Sequence, residues 1–148
     1  MLGIFPEQGA AYSVDGLIIQ HNTMVANPDD NPHWGIQLEN GPSAIDDVVI
    51  QNNIATGFES GWFVTSYPIT NLVISHNDAF GNGSDDAPVF TAEAPPGAVI
   101  EANISADPLF VSEADYGLQA GSPAIDAGVD LGAPFLGDAP DLGAVESF

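Results

Sequence analysis

The sequence predicts an all-β chain wound as a parallel β-helix, a solenoid of about four to five short coils ending in an irregular C-terminal cap. Three observations predict it. An apolar strand that ends on asparagine is written four times, closing at Asn22, Asn53, Asn77 and Asn103, 31, 24 and 26 residues apart. Each copy is rich in β-branched residues, and no stretch of useful length carries a helical period. Clusters of Gly, Pro, Asn and Asp separate the strands.

Three regions follow. Residues 1–13 are a lead-in or interface segment, with turn signals at Pro6 and Gly9. Residues 14–105 hold the coils. The first unit runs from Val14 to Asn22, continues through Thr23–Ala26, turns at Asn27–Pro32 and adds a second strand at Trp34–Leu38. The second runs from Ile45 to Asn53, bends at Ala55–Gly57 and adds Gly61–Thr65. The third runs from Ile69 to Asn77, bends through Ala79–Asp86 and adds Pro88–Thr91, and Pro95–Asn103 opens the fourth. Residues 106–148 are a closing segment.

Strands this short bury a face only when units stack, each strand pairing in parallel with its copy one unit away. Alternation then points Leu17 and Ile19, Val48 and Ile50, and Leu72 and Ile74 inward. Asn22, Asn53, Asn77 and Asn103 stack at a corner, where an amide can satisfy backbone groups freed by the bend and bond to the next asparagine. That makes them a structural ladder.

Charge narrows the function. The chain has 21 Asp plus Glu, no Lys and no Arg, for a formal net charge of −21. Nothing can neutralise phosphates, which argues against nucleic acid as a partner, and anionic membranes are disfavoured likewise. Apart from three histidines and the amino terminus no group can form a salt bridge, so stability rests on burial and backbone hydrogen bonds. Without cysteine there are neither disulfides nor thiolate metal sites. No apolar run is long enough for membrane insertion, and Met1–Pro6 has no signal-peptide pattern, so either export is encoded upstream or the chain is not exported by that route. An acidic, trypsin-proof surface suits saline or calcium-rich surroundings.

The last forty residues carry a resemblance. Ala106-Asp-Pro-Leu-Phe110, Tyr116-Gly-Leu-Gln-Ala-Gly-Ser-Pro-Ala-Ile-Asp-Ala-Gly128 and Ala139-Pro-Asp-Leu-Gly-Ala-Val-Glu146 are similar to the closing segment of secreted bacterial right-handed parallel β-helix proteins of the pectate-lyase-like superfamily. The resemblance spans about residues 14–146 and implies a right-handed coil, secretion, and a compact apolar plug over the end of the solenoid. It implies little about activity.

Lyase chemistry in that superfamily uses carboxylate-held calcium and a basic residue, and this chain has no Lys or Arg. Hydrolysis needs only two carboxylates. The adjacent pairs Asp29/Asp30, Asp46/Asp47 and Asp85/Asp86 point to opposite faces on a strand, so Asp46 stacked with Asp15 is the better candidate. His33 is a candidate only if a carboxylate and Tyr67 or Tyr12 share its groove, and His21 and His76 lie a coil too far apart to share an ion. The oxygen-rich turns around Asp29, Asp30, Asp85 and Asp86 are the candidate calcium ligands. Trp34, Trp62 and Tyr67 are candidates for stacking on sugar rings. The reading that follows is an extracellular or cell-surface structural or adhesive module. It meets upstream coils or itself end to end, binds calcium in its turns, and contacts polysaccharide. The alternatives are a glycan-acting hydrolase or epimerase and a carbohydrate-binding module.

Overall fold

A computed structural model of the chain describes residues 2–4, 13–27, 29, 32–38, 44–65, 69–83, 86–90 and 94–147. Among these there is almost no helix, and the strands form three parallel sheets and one hairpin.

The first sheet orders β1 (Leu2–Ile4), β5 (Trp34–Leu38), β8 (Gly61–Thr65) and β11 (Val89–Phe90). The second joins β2 (Ser13–Asp15) and β3 (Ile18–Gln20) to β6 (Ala44–Gln51), then β9 (Ile69–Ser75) and β12 (Val99–Glu101). The third orders β4 (Thr23–Val25), β7 (Ile54–Thr56) and β10 (Asp78–Phe80), with Ile104 bridging to Asp78 beyond it. Every parallel pairing joins a strand to its counterpart in the next repeat. Ile19 pairs with Ile50, Ile50 with Ile74 and Ile74 with Ile100, so one sequence position becomes one column.

The repeats differ in length without losing this register. Eleven residues lead from Thr23 to Trp34, and seven lead from Ile54 to Gly61, their partners in the next repeat. The extra residues sit in the turns.

Alternation places the expected residues inside. Ile19, Val48, Ile50, Leu72 and Ile74 are buried, as are Ile36, Leu38, Trp62 and Phe63 from the first sheet, while Leu17 is partly buried. Full burial of each such aliphatic side chain contributes about 1.5–3 kcal/mol. The last member of the isoleucine column differs. Ile100 is 41 % exposed against 0 % for Ile74, because among the described residues no strand lies over β12.

Two corners recur with backbone in the left-handed region. His21, Asn52, His76 and Ala102, each just before a ladder asparagine, have φ of 51–54°. Gly16, Asp47, Asn71 and Gly97 form the second set, at 74°, 52°, 51° and 80°. Asp47 and Asn71 bend their strands at the same level without a change of register, since the pairs on either side are Asp46↔Thr70 and Val48↔Leu72. Short polar side chains and glycine tolerate this backbone best.

The closing segment corrects the expectation of an end plug. It leaves the fourth repeat, forms the hairpin of β13 (Phe110–Ser112) and β14 (Asp115–Leu118), then returns along the flank to the first two repeats. The Ala144 N–H donates to Thr23 Oγ1, the Gly143 N–H to the Asn52 carbonyl, and Leu142 packs with Ile54. The motif residues explain why. Ser122 Oγ donates to the Pro108 carbonyl, and buried Asp141 accepts from the backbone N–H groups of Asp126 and Ser147. Gly143 lies against the stacked strands at φ 90°, where a Cβ would come within 2.6 Å of Thr23 Oγ1. The motif thus fastens a strap to the side of the stack.

Candidate functional site

The four asparagines form a continuous ladder. At each step the backbone N–H and side-chain Nδ2 of one asparagine both donate to the Oδ1 of the next, at 3.0 and 2.9 Å, from Asn22 to Asn53, Asn53 to Asn77 and Asn77 to Asn103. Nδ2 also reaches backbone carbonyls, Ile19 and Gln51 for Asn53, and Ile50 and Ser75 for Asn77. Asn53 and Asn77 are buried, and the cost of burying an amide is offset because donors and acceptors are matched. The ladder therefore has a direction.

Next to it, Asn52 ties strap to stack. Its Oδ1 accepts from the Val129 N–H at 2.9 Å and its Nδ2 donates to the Val129 carbonyl at 2.8 Å. His21 Nε2 lies 3.3 Å from the same Nδ2, so His21 and His76 stand half-buried in a structural corner column.

The acidic candidates are mostly occupied. Asp15 and Asp46 are in-register partners on neighbouring strands, as stacking predicts, but Asp46 accepts from the Thr70 hydroxyl and Asp47 from Asn71 Nδ2. Asp86 closes its turn: Oδ1 accepts from the N–H and Nδ2 of Asn82, and Oδ2 from Ser105 Oγ. Asp29 is exposed, while Asp30 and Asp85 lie outside the described residues. Among the described residues no three His, Asp or Glu side chains converge closely enough to hold a metal ion.

Asp78 was not singled out by its sequence. It occupies the column of Thr23, Ile54 and Ile104 and is fully buried. Its Oδ1 accepts from the Ala106 N–H at 3.1 Å, whereas Oδ2 is buried with no partner. Burial pushes its pKa from 3.8 up to about 7; the Ala106 hydrogen bond works in the other direction, and the charges of Asp86 and Asp107 add to the rise. Lone occupancy of an apolar column gives no sequence signal.

The sugar-stacking candidates also separate. Trp62 is 1 % exposed and its indole N–H donates to the Asp86 carbonyl at 2.9 Å, so it is core and presents no face to a ligand. It is buried because β8 is covered along its whole length. Trp34 is half-buried and Tyr67 lies outside the described residues. His33 meets the Glu59 carboxylate at 3.1 Å, with both side chains more than half exposed.

A cleft that the sequence reading missed lies where the hairpin meets the long first turn. It encloses about 1000 Å³. Asn27 and Asp29 line it from the turn, Asp107 from the start of the closing segment, and Phe110, Glu113 and Tyr116 from the hairpin. The rings of Phe110 and Tyr116 stand edge to face with centroids 5.3 Å apart. Tyr116 remains 41 % exposed. Phe110 and Tyr116 sit in the closing motif, where spacing alone does not distinguish a cleft wall from apolar packing.

No protein family, curated protein or solved structure matches the chain.

Proposed function

We propose that the chain is a right-handed parallel β-helix acting as a structural or adhesive module outside the cell, extended or docked through its open ends, and related to the pectate-lyase-like superfamily in its closing segment. The observation that carries this reading is the asparagine ladder. It spends polar groups on holding one repeat to the next, and it supports coiling because each column advances by one repeat through all three sheets. The carboxylates support the same reading, since Asp46, Asp47, Asp86 and Asp141 serve as acceptors within the scaffold.

End-to-end contact is favoured by the ladder's direction. Asn22 uses its donors toward Asn53, which among the described residues leaves an acceptor at the first repeat, and Asn103 has no further asparagine to donate to. Val99 and Ile100 beside it are each 41 % exposed. A second copy or an added coil on that end would bury them and lengthen the ladder, a head-to-tail contact that generates filaments. The −21 charge opposes such contact until salt or calcium screens it. Calcium belongs to this reading as a counter-ion of the acidic surface.

Sedimentation at low and high salt, with and without calcium, tests it. Growth into long particles that Ile100→Glu abolishes is the expected result. Monomers under every condition would remove end-to-end assembly, and turnover of a glycan would replace the scaffold reading with an enzyme.

A further inference from the structure

We propose that the cleft between the hairpin and the first turn binds a neutral oligosaccharide, with Tyr116 as the stacking platform. The proposal stands whether or not the coils assemble.

The size fits a ligand of several rings, since about 1000 Å³ is at the upper end of small-molecule sites. Tyr116 offers what a sugar ring needs, an apolar face with a polar tip, and it packs edge to face with Phe110. Few aromatic rings among the described residues are so exposed: Trp62 and Phe63 are core. Around the platform stand acceptors, the carboxylates of Asp29, Asp107 and Glu113, with Asn27 and Ser112 able to donate as well as accept. Carboxylates that accept from hydroxyls make charge-assisted hydrogen bonds, about twice as strong as neutral ones.

Charge selects the class of sugar. With no Lys or Arg in the chain, a uronate, sulfate or phosphate would meet only like charge here. A compact cation is the other conceivable ligand. It would need the carboxylates to converge, and among the described residues no such group forms. The three acids come instead from three separate segments, the turn, the start of the strap and the hairpin. Acceptors drawn from three segments of a cleft that also holds an exposed aromatic ring match dispersed hydroxyls.

The test is calorimetric titration of the full chain with neutral hexose oligosaccharides, uronate oligosaccharides and a lysine-rich peptide, at low and high salt. Neutral oligosaccharides should bind with little dependence on salt, and uronates should not bind. Tyr116→Ala should weaken binding about tenfold or more, the scale of a lost stacking contact. Tyr116→Phe should keep the platform and most of the affinity, which separates loss of stacking from damage to the hairpin. Leu136→Ala, outside the cleft, should change nothing. No binding of any neutral glycan, or binding indifferent to Tyr116→Ala with an unchanged melting curve, overturns the proposal. Salt-sensitive capture of the basic peptide alone overturns it in favour of a cationic partner.

Discussion

Replacing Asn53 by alanine removes the best-connected rung of the ladder. The native amide accepts from the Asn22 N–H and Nδ2, and its own Nδ2 lies 2.9 Å from each of the Ile19 carbonyl, the Gln51 carbonyl and Asn77 Oδ1. Truncation strands at least two groups, the buried Ile19 carbonyl and the part-buried Asn22 N–H. A buried polar group left unpaired costs about 1–3 kcal/mol, so the loss should be about 4 kcal/mol. Domains are stable by only about 5–15 kcal/mol, so this is a large fraction of the whole. At this chain length it corresponds to a fall in Tm of roughly 8–16 °C. Urea unfolding followed by circular dichroism, with the slope checked for two-state behaviour, measures it. Asn22→Ala, on an exposed residue at the end of the ladder, should cost about 1 kcal/mol. Equal losses at Asn53 and Asn22, or a loss at Asn53 below about 1 kcal/mol, would refute the ladder as a source of stability.

Asp78 predicts a dependence on pH. Its folded pKa of about 7 lies above the ordinary 3.8, so between those values the folded chain keeps a proton that the unfolded chain gives up. Its contribution is therefore full below 3.8 and is lost as pH rises through 7, on the order of 4 kcal/mol in all. Asp78→Asn should flatten that part of the curve relative to wild type, and parallel curves would show that Asp78 does not carry it. Gly143→Ala should loosen the strap, because the backbone at φ 90° and the contact with Thr23 both exclude a Cβ. A destabilisation of about 2 kcal/mol or more, with faster hydrogen exchange at Ala144 and Val129, is expected; unchanged exchange would mean that the flank contact is not tight.

The strands and the ladder were legible because both are periodic. An inward position repeated at Ile19, Ile50 and Ile74 writes its own column, and four asparagines in one frame leave little else for them to do. The left-handed corners follow the same spacing and were still missed, since His21, Asn52, His76 and Ala102 share a backbone conformation but no side-chain chemistry. The path of the strap was beyond sequence reading for another reason. Its anchors join Val129 to Asn52 and Ala144 to Thr23 across 77 and 121 residues, and no local pattern encodes such a pairing. Asp78 and the cleft failed together on that account: one owes its raised pKa, and the other its shape, to where the closing segment departs and folds back.

The unequal lengths of the repeats divide the chain into a part that is fixed and a part that is free. A column admits no insertion, since one added residue would turn Ile50 outward and break the rung at Asn53. A turn admits many, because lengthening a surface loop costs little in closure entropy. The four residues by which the turn after Thr23 exceeds that after Ile54 fall where Asn27 and Asp29 reach the cleft. A scaffold built this way can acquire or trade a binding surface by editing a single turn, with the rungs beneath it untouched.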